Sequence, residues 1–440
     1  MNQTKSAIRR AGLFYFVFVM FSYTTGGPFG MEEMVTNSGP GLTLVYLLLI
    51  PLFWCIPVSL VTAELTTAIP VEGGFYRWVR VAYGDFWGFL AGWWNWNASW
   101  LLGGSYAVLF SDYLGVFFPG LTGWGHYLVS LALIVALAYI NIRGIQMVGL
   151  VSTILEISLL LPVILLCVLA APKWHFPPFH PFVPPHVPAF QVFGVGLALG
   201  LWLYSGYEQC SSVAEEIENP QRNFPIALAV VVPLSMATYI LPALFSLAAL
   251  GNWQKWDTAY LPTAALLIGG RGLGIAMAVA AILGIVSLMN ATMLTSTRMP
   301  STMGEDGYLP PLFAEKHAKY RTPWIAILIS SAIYASLAFH TLAQLLTVYV
   351  WLRSLTTVLT VMAAWKLRKT KPEMARPFRI PFGKAGLVYV VAAPIAMTMV
   401  ALAGSDSFAL KWGPVPVVLG VGAYFVFPRI RRLVEATSSG

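Results

Sequence analysis

Apolar runs long enough to cross a lipid bilayer recur along the chain, and they constrain its fold more than any other feature. A helix needs about 20 predominantly apolar residues to span the hydrocarbon core. Hydrophobic residues make up 58% and charged residues 10% of the 440 residues, whereas a soluble domain is roughly 45–50% apolar and about 25% charged. The sequence therefore predicts an all-α integral membrane protein. It excludes a soluble enzyme and a nucleic-acid-binding protein.

Glycine, proline and charged residues divide these runs into twelve predicted transmembrane helices. An even number of crossings places both termini on one side. Of the 26 Lys and Arg residues, 21 lie in the tails and loops on that side, four lie in the opposite loops, and Arg353 lies within a helix. Because positive charge accumulates in the cytoplasm, we expect cytoplasmic termini and a multi-pass protein of the cell membrane. The predicted helices cover residues 11–35, 41–68, 86–115, 124–142, 148–171, 191–217, 226–250, 272–297, 323–340, 343–367, 386–404 and 412–428.

The connection at residues 172–190 contains seven prolines. Proline disfavours helix and favours extended polyproline geometry, so we expect an external loop that covers the protein. His175, His180 and His186 lie in this loop, but no helical face aligns them. We interpret them as exposed loop histidines rather than metal ligands, and we predict neither a metal site nor a cofactor.

Two predicted helices are interrupted in the middle, by residues 24–33 (TTGGPFGMEE) in the first and residues 201–209 (LWLYSGYEQ) in the sixth. Each unpaired backbone group in lipid costs several kcal/mol, so a break persists only where protein or a watery cavity satisfies it. Breaks in corresponding parts of two halves are typical of transporters that hold substrate between inverted repeats. The alternative is a pair of glycine kinks that allow close packing. The predicted substrate contacts here are Gly26, Gly27, Phe29, Gly30, Ser205, Gly206 and Tyr207.

Three carboxylates follow the breaks: Glu32 and Glu33 after the first, and Glu208 after the second. They could simply complement the dipole at the start of a helix, for about 0.3–1 kcal/mol. An acid within the membrane is costly, however, and marks a site for a cation or a proton. We expect Glu208 and one of Glu32 or Glu33 to bind ammonium groups of a substrate.

Trp202 lies about one helical turn before the break at Ser205. The face of a Trp ring attracts ammonium groups and can also close a cavity, although Trp within a helix more often serves packing or an interfacial belt. We expect Trp202 to cover the substrate from the external side.

Further charged residues lie within the predicted helices, and each should face the interior and find a partner. Glu64 and Asp112 are close enough to helix ends to be wetted, whereas Glu156 and Arg353 lie deeper. An arginine facing the site would repel a polyamine but could bind the carboxylate of an amino acid. We expect a polyamine as the substrate, with Arg353 lying away from it and neutralised by Glu156 or Glu64.

Five motifs occur in a specific order: GGPFG (26–30), AELTTAIPVEGGFYRWV (63–79), NIRG (141–144), SGYEQCSSVAEEIENPQRNFP (205–225) and TSTRMPSTMGEDGYLP (295–310). Together they resemble the amino acid/polyamine/organocation (APC) superfamily of transporters. The resemblance implies a LeuT-type fold, with helices 1–5 repeated in inverted orientation as helices 6–10, plus two peripheral helices. The corresponding units are the repeat 1–171, the loop 172–190, the repeat 191–369, and residues 370–440 with the last helices and the tail.

The segment GGPFGMEE (26–33) looks most like the polyamine-uptake branch, because amino-acid branches more often have a GSGIF-like loop whose free amides hold a carboxylate. Pro28 removes one such amide. The resemblance therefore implies a secondary active transporter of polyamines or related cationic amines. The alternative is an amino acid permease or exchanger of the same superfamily.

Sodium-independent members of the superfamily are similar in placing a lysine on helix 5, but this chain has Glu156 and Ser158 there. We favour proton symport through a carboxylate over sodium symport or exchange, with Glu156, Ser158 and Arg353 as coupling candidates. A membrane-embedded enzyme would need a nucleophile–base pair or clustered metal ligands within the helices, and the sequence does not favour one. The expected partners are the substrate, the coupling proton and the lipid bilayer.

Overall fold

The computed structural model describes residues 12–438 apart from 71–72, 144–147 and 186–188. These residues fold into helices, and the described ranges contain no strand. The helices are α1 (Leu13–Thr24), α2 (Glu32–Ser38), α3 (Pro40–Ala68, with a π-helical turn at Pro51–Cys55), α4 (Gly74–Tyr83), α5 (Asp85–Gly115), α6 (Gly123–Arg143), α7 (Val148–Ala170), α8 (Ala189–Leu203), α9 (Pro220–Leu250), α10 (Tyr260–Gly269), α11 (Arg271–Ser296), α12 (Arg298–Glu305), α13 (Trp324–Leu337), α14 (Leu342–Thr370), α15 (Gly383–Ala403), α16 (Ser407–Trp412) and α17 (Pro414–Ser438).

Seven helices in the described part of the chain are long and apolar enough to cross a membrane. The protein is therefore a multi-pass membrane protein. The prediction of twelve crossings is not settled by length and composition, and it stays a prediction, as do the inverted repeats with their boundaries. These seven are Pro40–Ala68, Gly123–Arg143, Pro220–Leu250, Arg271–Glu305, Leu342–Thr370, Gly383–Ala403 and Ser407–Pro428. Arg271–Glu305 joins α11 and α12, and Ser407–Pro428 joins α16 and the first part of α17.

Both predicted interruptions are present in the structure. The first predicted segment, 11–35, divides into α1 and α2, with non-helical backbone between them. The sixth, 191–217, is helical only to Leu203 and continues as 3-10 turns over Tyr207–Glu216. Most ends of the other predicted helices lie within a few residues of their predicted positions, because hydrophobic runs and glycine or proline punctuation determine where a membrane helix begins and ends. The exceptions are α9, which begins at Pro220 rather than at residue 226, and α17, which ends at Ser438 rather than at residue 428.

Helix α5 lies at the centre and packs against α4, α11, α13 and α14. Its approach to α13 depends on small residues: a Cβ atom at Gly103 would lie 2.6 Å from the Tyr334 ring, and one at Gly104 would lie 2.9 Å from Leu337 Cβ. Small residues let membrane helices approach closely. The same helix can therefore present polar side chains to the region between the two breaks.

The described part of the proline-rich connection lies across the start of α3. The backbone amides of Gly41 and Leu42 donate to the carbonyls of Pro181 (3.3 Å) and Phe182 (2.8 Å). A Cβ atom at Gly41 would lie only 2.5 Å from the Phe179 carbonyl oxygen. The segment therefore packs against the start of α3, and its role as an external cover stays a prediction. No group of three metal-ligating side chains occurs among the described residues, and His186 lies outside them.

Glu64 is the centre of a buried charge cluster, which corrects the expectation that water reaches its carboxylate. Its side chain is 1% exposed and pairs with Arg368, and Arg376 Nε lies 3.3 Å from Oε1. The backbone amide of Ile380 also donates to Oε2, at 2.9 Å. Arg368, in the last turn of α14, and Arg376, in the basic connection after it, therefore fasten the end of α14 and this connection to α3.

Replacing Glu64 with Gln should destabilise the protein by about 3–5 kcal/mol, because the change leaves two partly buried guanidinium groups without a counter-charge. Unfolding of the purified protein by heat or denaturant measures the effect. Glu305→Gln is the matched control, since Glu305 pairs with Lys316 at 2.8 Å with both side chains about half exposed, and it should change stability by less than about 1 kcal/mol. Equal losses in the two variants would contradict the structural role of Glu64.

Candidate functional site

The first break is built from glycines and closed by side chains. Gly27 and Gly30 have φ angles of 93° and 84°, a region that residues with a Cβ atom seldom adopt. The Gly27 amide donates to Thr25 Oγ1 at 3.1 Å, and the Gly30 amide donates to Glu32 Oε2 at 2.7 Å. Neighbouring side chains therefore satisfy backbone groups that the helix no longer pairs.

The second break uses a serine and a glycine. Gly206 has a φ angle of 112°, and a Cβ atom there would lie 3.0 Å from the Tyr23 carbonyl oxygen at the end of α1. Ser205 Oγ donates to the Leu201 carbonyl at 2.6 Å and accepts from Trp54 Nε1 at 3.2 Å. The two breaks are thus in direct contact, which the sequence spacing alone could not establish.

A cavity opens between the two breaks and is walled by α5, α11 and α14. Aromatic rings and hydroxyl groups form much of its surface. Six predicted substrate contacts line it: Gly26, Gly27, Phe29, Trp202, Ser205 and Gly206. The other lining residues are Tyr23, Thr24, Thr25, Asn95, Ala98, Ser99, Leu102, Tyr106, Leu109, Leu203, Gln209, Tyr239, Ile285, Leu288, Thr292, Thr295, Ser296, Tyr349 and Arg353.

Gly30 and Tyr207 are not part of the cavity wall. Gly30 packs beneath Trp202, since a Cβ atom at Gly30 would lie 2.9 Å from the tip of the Trp202 ring. The Trp202 ring also lies 6.3 Å from the ring of Tyr106, centroid to centroid. Trp202 therefore bridges the first break and α5 at the cavity. Tyr207 is buried behind the second break.

The two acids after the first break face away from the cavity. Glu32 is fully buried and accepts from the Gly30 amide, the Tyr113 hydroxyl and the Leu261 amide, the last at 3.4 Å. Glu33 accepts from the Thr258 hydroxyl. Glu33 also lines a separate pocket together with Asp112 and His126, which themselves pair at 2.8 Å. In this conformation Glu32 holds the break in shape, and neither acid reaches the cavity.

Glu208 and Arg353 form a buried ion pair beside the cavity. Arg353 is 3% exposed and lies in the cavity wall, whereas Glu208 does not line the cavity. The expectation that Arg353 is neutralised by Glu64 away from the substrate is wrong, because Glu64 is occupied by Arg368 and Arg376. The side chain of Glu156 lies outside the described side chains.

A polar network around this pair includes residues that the sequence reasoning did not identify. Arg353 Nη1 donates to Asn95 Oδ1 at 2.8 Å, and Gln209 Nε2 donates to the same oxygen at 3.0 Å. An asparagine within the apolar run of α5 was the available signal. Hydropathy could not show which way its side chain points.

Helix α7, which carries two of the coupling candidates, packs against the first break through Leu159. Leu159, the neighbour of Ser158, packs against Gly27 and Gly284: Cβ atoms at these glycines would lie 3.1 Å and 2.5 Å from Leu159. Ser158 itself is exposed. The face of α7 that carries Leu159 is therefore in contact with the backbone of the break. Of the three coupling candidates, Arg353 is the one that lines the cavity.

Comparisons with known proteins show which family the chain resembles. A family model for amino acid permeases matches residues 13–423. The polyamine transporter RMV1 of Arabidopsis thaliana is 32% identical over 430 residues, which cover 95% of this chain and 85% of the relative. The polyamine transporter PUT1 of Oryza sativa subsp. japonica is 31% identical over 404 residues, which cover 90% and 74%. The serine/threonine exchanger SteT of Bacillus subtilis is 28% identical over 335 residues, which cover 73% and 74%.

The family model and these relatives span most of the chain, including both breaks and the helices that wall the cavity. The chain is therefore a transporter that belongs to the amino acid permease family of the APC superfamily, as its motifs predict.

Proposed function

We propose that the protein is a secondary active transporter that moves polyamines or related cationic amines across the cell membrane, coupled to protons. The observation that carries the proposal is the cavity formed where the two helix breaks meet. Discontinuous helices at the centre of a transporter place polar backbone around a substrate while neighbouring helices exclude lipid. A carrier of this kind works by rearrangement of helices around the site and needs no catalytic group.

The first break favours an amine over a carboxylate. Pro28 has no amide hydrogen, and the amides of Gly27 and Gly30 already donate to Thr25 and Glu32. Few backbone donors are therefore left to hold a carboxylate at this break. The rings of Phe29 and Trp202 in the cavity wall instead suit ammonium groups, which aromatic faces attract. The names of the two plant relatives, both polyamine transporters, support the same substrate class.

The second candidate is an amino acid permease or exchanger, and Arg353 is the observation that favours it. Arg353 lies in the cavity wall, where a guanidinium group can bind a carboxylate in bidentate fashion. The bacterial relative named as a serine/threonine exchanger supports this alternative. The ion pair with Glu208 weighs against it, since a carboxylate of the protein already occupies the guanidinium group.

The proposed architecture is the twelve-helix LeuT-type fold with cytoplasmic termini. In this orientation α8 enters from the external side and ends at the second break, so Trp202 covers the cavity from outside. Proton coupling would use the α7 region, with Glu156 as the titrating group and Ser158 beside it, or the Arg353 network. Packing of Leu159 on the first break supports α7, because a change of charge there can alter the shape of the break.

Purified protein in liposomes should take up putrescine and spermidine saturably, and uptake should be stimulated by preloaded unlabelled amine. Counterflow of this kind distinguishes a carrier from a channel, because it requires a site that alternates between the two sides. Serine and threonine should not compete. Competition by these amino acids without competition by putrescine would contradict the proposal and support the amino acid alternative.

Trp202→Leu should shorten the retention of labelled amine in counterflow, because leucine cannot cover Gly30 or contact Tyr106 in the way the indole ring does. We expect a loss of roughly tenfold in apparent affinity, which corresponds to about 1.4 kcal/mol. Trp87→Leu is the control, since Trp87 is 41% exposed and does not line the cavity. Unchanged retention in a folded Trp202→Leu protein would exclude a gate at this position.

Glu156→Gln should uncouple transport from protons, because an amide cannot exchange a proton. Uptake driven by an inward proton gradient should fall severalfold, whereas amine exchange without a gradient should persist. Glu305→Gln, a change at an exposed ion pair, should leave both activities unchanged. If gradient-driven uptake survives in Glu156→Gln, coupling belongs to another group.

A further inference from the structure

We infer that Arg353 is a tethered competitor of the amine substrate: its guanidinium group and a substrate ammonium group bind alternately to the carboxylate of Glu208. This inference rests on the proposed amine transport and adds to it the residue that sets affinity. It also explains how a cavity walled by an arginine can serve a cationic substrate.

The position of the ion pair supports the exchange. Arg353 belongs to the cavity wall, whereas Glu208, which pairs with it, does not. Glu208 is about 5% exposed and accepts, besides Arg353, the backbone amide of Gly206 at 3.3 Å. Gly206 itself lines the cavity. Movement of one side chain would therefore expose a carboxylate at the second break.

Binding of an amine to Glu208 requires such a movement. Among the described residues, its wall contains the cation Arg353 and no carboxylate. In the paired state Glu208 already neutralises Arg353, so an entering diamine finds no available carboxylate in the wall. Exchange supplies one, because the substrate ammonium group takes Glu208 as its counter-ion.

One hydrogen-bond donor of Arg353 lacks an acceptor among the described residues, which makes it easier for the guanidinium group to leave Glu208. In the described part of the chain, no acceptor bonds the buried Nε atom. Asn95 Oδ1, the acceptor of Nη1, also receives a hydrogen bond from Gln209 and so keeps a donor when Arg353 moves. The guanidinium carbon already lies 5.8 Å from the centre of the Phe75 ring, whose face can stabilise the displaced cation.

Competition also has a use in the transport cycle. A buried carboxylate without a counter-charge is strongly destabilising. Arg353 would neutralise Glu208 after substrate release and so permit the carrier to return. The same pairing lowers the apparent affinity for the amine, because only the fraction of carriers with an open Glu208 can bind it. Substrate is thereby released readily on the far side.

Arg353→Gln tests the inference by equilibrium binding of putrescine to the purified full-length protein. The variant should bind putrescine about tenfold more tightly than the wild type, or tighter still. It should also exchange the bound amine more slowly, because no cation displaces it. The double variant Glu208→Gln/Arg353→Gln, which has no unpaired charge, should lose the gain. Arg368→Gln is the matched control: it breaks another buried pair, with Glu64, and should leave putrescine affinity unchanged.

Arg353→Lys keeps the inference testable if Arg353→Gln does not fold, since a shorter cation competes less well and should raise affinity severalfold. Putrescine affinity equal to or weaker than that of the wild type, in whichever of the two variants folds, would overturn the inference. This failure is distinct from failure of the proposed function, which would appear as absence of putrescine uptake by the wild type. Tighter binding in Arg353→Gln with no wild-type uptake would support the competition and refute the transport proposal.

Discussion

The structure depends on how the backbone is satisfied where two membrane helices stop being helical. Lipid offers no hydrogen-bond partners to unpaired amides and carbonyls in the hydrocarbon core, so every break needs partners from the protein or from a watery cavity. Thr25 and Glu32 supply them at the first break. At the second break, Ser205 bonds back to Leu201 and receives the Trp54 indole. These local bonds hold the chain open at the point where the cavity forms.

Glu32 and Glu208 both accept a backbone amide at a break, but their other partners differ. Glu32 accepts hydrogen bonds from the Gly30 amide and the Tyr113 hydroxyl, and it stabilises the shape of the first break. Glu208 also caps its break through the Gly206 amide, but its main partner is a side chain from α14. A backbone partner cannot leave, whereas a side chain can rotate away. Of these two acids, Glu208 is therefore the one that we propose as a ligand-binding charge.

The buried charges illustrate a general constraint on membrane proteins: an ion inside must have a counter-ion inside. Glu64 meets it with Arg368 and Arg376, which fasten the end of α14 and the connection after it to α3. Glu208 meets it with Arg353 in the wall of the cavity. The first pair has a purely structural setting, and the second lies where a substrate would compete for one of its members. The same interaction thus serves stability in one place and, in our proposal, specificity in the other.

From the sequence one could predict that the chain is a helical membrane protein, where most helices begin and end, which two are broken, and which superfamily it resembles. These properties depend on hydropathy and on glycine and proline, which act locally. The tertiary structure alone decided that Glu208 pairs with Arg353, that Glu64 does not, and that Asn95 and Gln209 join the network. The reason is geometric: the partner of a buried charge depends on how each helix is rotated and tilted against its neighbours. Hydrophobic periodicity is a weak guide to that rotation when apolar residues cover most of a helix surface.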